Sequence, residues 1–218
     1  MMMINKQNYK VIRMLLMGGV ISTPLFYVVA IIQSFTRTGF DIRLHAISTL
    51  TLGDAGWVQS ANFFITGLLA VCAAIGVRRL LRGFQGGTWG ALLIGIYGIG
   101  MMMAGLFRPD PGLSFPPGAP AEAPTSMSGH AALHSAAFFT AFICLIVANM
   151  VFASRFASQG ERGWSFYCIA SCIIAPVLII VGSMNSAWIG VIMGSAGMVA
   201  FGWVSLLAAK LRAETLQV

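Results

Sequence analysis

Charge is what this chain has least of. Its 218 residues include 13 Lys and Arg and six Asp and Glu, 9 % in all, where a soluble domain typically carries about 25 %. So few charges cannot cover the surface of a soluble protein of this size, which sets aside soluble-enzyme, disordered and nucleic-acid-binding classes. Cysteine is scarce as well. Cys72, Cys144, Cys168 and Cys172 all fall inside apolar runs, which excludes a disulfide framework facing an oxidising exterior. Cys168 and Cys172, four residues apart, read as buried thiols. Histidine occurs only at 45, 130 and 134.

What abounds is apolar: 58 % of the residues are hydrophobic and the mean hydropathy is +0.85. A helix crosses a bilayer with roughly 20 apolar residues, each rising about 1.5 Å through a core about 30 Å thick. Six stretches satisfy this: about Met14–Gln33, Trp57–Val77, Thr88–Phe107, His134–Ala153, Trp164–Met184 and Ala187–Ala209, none containing Asp, Glu, Lys or Arg. A closed β-barrel would show short alternating strands instead. The expected fold is therefore all-α: one six-helix transmembrane domain over residues 1–218, with outer loops at 34–56 and 108–133. It is expected to sit in the cell's inner (plasma) membrane as a multi-pass protein whose constant partner is the lipid bilayer.

The basic residues set an orientation. Lys6, Lys10, Arg13, Arg78, Arg79, Arg82, Arg155, Arg162, Lys210 and Arg212 fall on one side, and only Arg37, Arg43 and Arg108 on the other. The positive-inside rule then puts both termini in the cytoplasm. Trp89 and Trp164 open their spans from inside and Trp57 and Trp188 from outside, each at an expected interface. Span one is too long for a signal peptide and lacks a cleavage site, so it reads as a retained anchor.

Small residues mark helix contacts in lipid. Ser186, Gly190 and Gly194 form a ladder in span six, where Gly194→Leu is expected to block close helix approach. Span three carries Ala91, Gly95, Gly98, Gly100 and Gly105, and span one Gly18 and Ser22. Pro24 and Pro176 are expected to kink spans one and five.

Polar chemistry gathers in the outer loops. If residues 40–50 are helical, Asp41, His45 and Ser48 share one face. The third loop holds Arg108 and Asp110, then a Pro/Gly/Ala segment from Pro116 to Pro124 that reads as a mobile flap. Thr125, Ser126 or Ser128 is placed to cap span four. His130 and His134 stand one helical turn apart, as a helix presents two imidazoles to one metal. His45 supplies a third nitrogen for tetrahedral zinc. The same residues equally fit a set of structural hydrogen bonds that fixes a lid.

The pattern Ile47-Ser48-x-Leu50, Gly56-Trp57, Gly67, Gly105-x-Phe107-x-x-Asp110, His130 and His134 resembles the prokaryotic membrane family known as domain of unknown function 998, over nearly the whole chain. That resemblance implies a six-helix integral membrane protein and no established activity. The order His45, Ser48, Asp110, His-x-x-x-His is also similar to that of the ceramidase and adiponectin-receptor superfamily, which implies zinc held by three histidines and hydrolysis of lipid amides.

Two function classes fit. One is a membrane protein that binds a lipid, a small molecule or a membrane partner through an outward-facing polar cluster. The other is a zinc-dependent hydrolase. In it His45, His130 and His134 hold the metal, Asp110 or Asp41 is the general base, Ser48 orients water and Arg43 or Arg108 grips an anionic headgroup. No charge lies inside a span, which argues against an ion-coupled pump.

Overall fold

The computed structural model describes residues 6–216. Among them are six α-helices: α1 (Lys6–Thr36), α2 (Gly56–Leu80), α3 (Trp89–Leu106), α4 (Gly129–Ser158), α5 (Arg162–Met184) and α6 (Ile189–Glu214). All six are long and apolar enough to cross a membrane. The chain is an integral, multi-pass membrane protein. In lipid each backbone N–H and C=O must find its partner within the segment, and a helix achieves this.

Each helix packs on the next, and α6 returns to α1, closing a ring. The helices overrun the expected spans chiefly at the end that carries most of the basic residues. There α2 takes in Arg78 and Arg79, α4 Arg155, and α6 Lys210 and Arg212. At that basic end Lys210 bridges Glu161 at 2.7 Å and Glu214 at 3.4 Å. α1 and α5 remain helical through Pro24 and Pro176. Of the three candidates for the α4 cap it is Ser128 whose hydroxyl serves, accepting from the Ala131 amide at 3.2 Å.

Phe201 of α6 reaches into the middle of the ring. Its side chain meets Phe26, Tyr97 and Phe142 with ring centroids 5.7, 5.4 and 5.6 Å apart. Interhelical hydrogen bonds add register: Thr23 Oγ1 donates to the Phe201 carbonyl at 2.6 Å, and Ser205 Oγ to the Gly19 carbonyl at 2.7 Å. Each such bond contributes roughly 0.6 kcal/mol on average.

The closest helix approach lies between α2 and α3. A Cβ on Gly67 would stand 2.4 Å from the Gly98 carbonyl oxygen, and one on Gly98 would stand 2.6 Å from that of Gly67. One heptad along each helix, a Cβ on Gly105 would meet the Ser60 carbonyl at 2.7 Å. The ladder in α6 behaves differently. A Cβ on Gly190 would collide with the carbonyls of Ile42 and His45, so that glycine admits loop backbone and not a helix. A Cβ on Gly194 would meet only Ile47 Cδ1, at 3.4 Å. The expectation that Gly194 marks a helix contact is corrected: its missing side chain leaves space.

Candidate functional site

The end of the bundle opposite the basic one is closed by a cap built from the loops 37–55 and 107–128. Arg37 anchors it. Its guanidinium donates to the carbonyls of Leu50 and Leu52 and lies 5.6 Å from the centre of the Phe115 ring. Phe115 is buried and packs on Phe40 and His45, centroids 5.3 Å apart in both cases. Ala30, Leu50 and Leu52 complete this small core. The proline-rich segment, read from sequence as a mobile flap, folds back on itself. The Leu113 amide donates to the Glu122 carbonyl and that of Ser114 to the Pro120 carbonyl, and Phe115 pins the fold to the first loop.

Residues 40–50 are not one helix. Leu44 and His45 close a turn on the Asp41 carbonyl, Ala46 is extended, and a short 3₁₀ turn, η1, follows over Ile47–Thr51. The amide of Asp41 donates to His45 Nδ1 at 2.8 Å, which removes that nitrogen's lone pair. His45 Nε2 must then carry the proton, and it donates to the Leu113 carbonyl at 3.0 Å. His45 therefore fixes its own loop through Nδ1 and ties it to the third loop through Nε2.

His134 sits one turn inside α4 and is buried. Its Nδ1 faces two carbonyls at the end of α3, those of Phe107 at 2.9 Å and Ala104 at 3.1 Å. Because a carbonyl only accepts, Nδ1 is the protonated nitrogen. His130 is exposed and its ring lies 5.5 Å from that of Phe107. Among the described residues no three His, Cys, Asp or Glu side chains group as a metal ion would require. The expected convergence of His45, His130 and His134 is thus not what the fold produces, because backbone groups engage both nitrogens of His45 and one of His134.

The carboxylates are likewise engaged. Asp41 accepts from the Arg43 guanidinium at 2.7 and 3.1 Å and from its amide at 2.9 Å. Those bonds, the guanidinium's first, hold its pKa down to about 2. Asp110 accepts from the Ser128 amide at 2.9 Å, and hydrogen bonding by Ser128 lowers its pKa too. Both carboxylates are thus taken up by hydrogen bonds within the cap. Arg43 is spent on Asp41, and Arg108 is exposed at the start of the third loop.

Beneath the cap the helices part around a narrow cavity of about 70 Å³. At ~10–15 Å³ per water-sized group, it takes roughly five to seven such groups. Phe26 and Tyr27 of α1, Phe63 of α2, Met101 of α3, Phe138 and Phe142 of α4 and Phe201 of α6 form most of its wall, with Ile47 and Ser48 as its lid. Gly100, Gly194 and Gly197 also line it. Gly197 leaves room for the Tyr27 hydroxyl, which a Cβ there would meet at 2.6 Å. That hydroxyl donates across to the Gly194 carbonyl at 2.7 Å. The polar side chains on the wall are Tyr27, Ser48 and His134.

Of the eight candidate catalytic, binding and metal residues named from the sequence, Ser48 and His134 reach this cavity, and the other six do not line it. The aromatic wall was missed because an aromatic inside an apolar run carries no local mark of whether it faces lipid, core or void.

Comparison with curated proteins and with solved structures finds no match. The family model described as "Protein of unknown function (DUF998)" matches residues 20–210, most of the chain, and the protein belongs to that family.

Proposed function

We propose that this protein binds the alkyl chain of a lipid, or a similarly slender apolar molecule, in the cavity under its cap. The observation that carries this reading is the cavity itself: an aromatic slot with glycine in its walls, lying under a tied lid. It is far narrower than the roughly 300–1,000 Å³ of a drug-sized site, so it suits a chain or a single ring and not a headgroup. Glycines in a membrane bundle otherwise serve to bring helices together, yet a Cβ on Gly194 would meet only Ile47 Cδ1, at 3.4 Å.

A diazirine-bearing alkyl probe, irradiated with the purified protein in nanodiscs, is expected to label residues of the wall such as Phe138, Phe142 and Met193. Gly194→Leu is expected to fill the slot and abolish this labelling while shifting the melting temperature by only a few degrees. Labelling that persists undiminished in a folded Gly194→Leu protein would place the probe on the lipid-facing surface and end the reading.

We also propose that the cap faces away from the cytoplasm, in the cell's inner membrane, which is supported by the ten-to-three division of basic residues between the two ends. A reporter fused after Val218 is expected to work only in its cytoplasmic form and one inserted near Ala119 only in its exported form. The reverse result would turn the cap inward.

A further inference from the structure

We infer that the cavity selects molecules whose polar end is a neutral hydrogen-bond donor, a hydroxyl above all, over anions and over ends that cannot donate. The inference rests on the alkyl-binding reading above and names the chemistry of the ligand's polar end. Three polar side chains reach the wall, and the bonds that two of them already make decide what they can still offer. His134 has committed its Nδ1–H to the carbonyls of Ala104 and Phe107, and burial in a wall whose lining residues include no carboxylate favours the uncharged ring, which leaves Nε2 as an acceptor. Tyr27 has committed its proton to the Gly194 carbonyl, so its oxygen has only lone pairs left. Ser48 can donate or accept, and its hydroxyl turns to suit.

Among the described residues that line the cavity none is Lys, Arg, Asp or Glu. A carboxylate or phosphate entering there would face the lone pairs of His134 and Tyr27 in an apolar, desolvated slot and would exchange its hydration for at most the Ser48 hydroxyl. An ether can accept from Ser48 but leaves the lone pairs of His134 and Tyr27 without a donor. A hydroxyl instead donates to His134 Nε2 or Tyr27 Oη and accepts from Ser48. One such bond is worth enough to separate donor from non-donor by about tenfold.

The test uses the full-length protein in nanodiscs and competition against the alkyl photoprobe by three molecules of one chain length: dodecan-1-ol, its methyl ether, and dodecanoate kept ionised at about pH 9. Membrane partitioning of each is measured on protein-free nanodiscs and divided out. The alcohol is expected to compete about tenfold better than the ether and the ionised acid. His134→Phe is expected to erase the margin over the ether while leaving the ether's own competition intact. Because His134 also closes the end of α3, Tyr27→Phe serves as a second variant and is expected to narrow the same margin. Equal competition by alcohol and ether, or stronger competition by the acid, overturns the selectivity while leaving alkyl binding standing. A failure of all three to compete overturns the alkyl-binding reading and the selectivity with it.

Discussion

Gly67→Ala is expected to cost about 2–3 kcal/mol, the size of an overpacked contact, although alanine is the better helix former by roughly 1 kcal/mol. The new methyl would lie 2.4 Å from the Gly98 carbonyl oxygen and close to Met102. Backbone cannot rotate away as a side chain would, so α2 and α3 must separate along a seam where Gly98 and Gly105 are fitted just as tightly. In lipid that separation forfeits the van der Waals contact that holds helices together, with no water exclusion to compensate. At about 2–4 °C per kcal/mol for a chain of this size, the melting temperature in detergent should fall by roughly 4–12 °C. Gly202→Ala is the comparison, because no atom of the described residues lies within 4 Å of its Cβ position beyond its own helix backbone and chain neighbours; it should be neutral or slightly stabilising. Equal melting of the two variants would show that the α2–α3 seam is looser than the structure has it.

Phe115→Ala is expected to loosen the cap and leave the helices in place. Truncating a buried phenylalanine typically costs about 3–5 kcal/mol. Here the loss falls on a small separate core of Ala30, Leu50, Leu52 and Phe115, not on the aromatic centre of the bundle. Arg37 would lose the ring its guanidinium covers, and His45 and Phe40 would lose their shared neighbour. Hydrogen exchange at the amides of His45, Leu113 and Ser114, which hold the two loops in shape, should quicken by about two to four orders of magnitude. Amides in the middle of α2 and α3 should exchange as before. If the three loop amides keep their protection in a folded Phe115→Ala protein, the cap is held by Arg37 and His45 alone. Because Ile47 and Ser48 are both cap residues and cavity lid, a loosened cap should also speed release of the alkyl probe.

The small-residue ladders show how far local pattern reaches. A glycine every fourth residue says that something comes close or that something is left open; it does not say which. Gly98 meets another helix, Gly190 meets the backbone of a loop, and Gly194 borders a void. All three look alike in sequence because the difference lies in the partner.

The histidines make the same point in chemical form. Their placement toward one end of the bundle was legible, since all three fall in or beside the two long loops. Their role was not. An imidazole held by backbone groups and one held by a metal differ in which atoms stand about 3 Å away, and the i, i+4 arithmetic that placed Asp41 with His45 assumed a helix that the loop does not form. The Asp41 amide binds the His45 ring, Ala46 extends, and the regular face ends there.

By itself the sequence determined the number of helices, their order and, through the scarcity of charge, the solvent they require. The reason is energetic: a buried backbone in hydrocarbon has one local solution, and about 20 apolar residues state it unambiguously. The tertiary structure alone decided which glycines touch and how the loops tie into a cap. It also decided that Tyr27, Ser48 and His134, from three separate elements, share one cavity. Those outcomes depend on side chains far apart in the chain meeting within a few ångströms, and no residue carries that information about its partner until the ring of helices has closed.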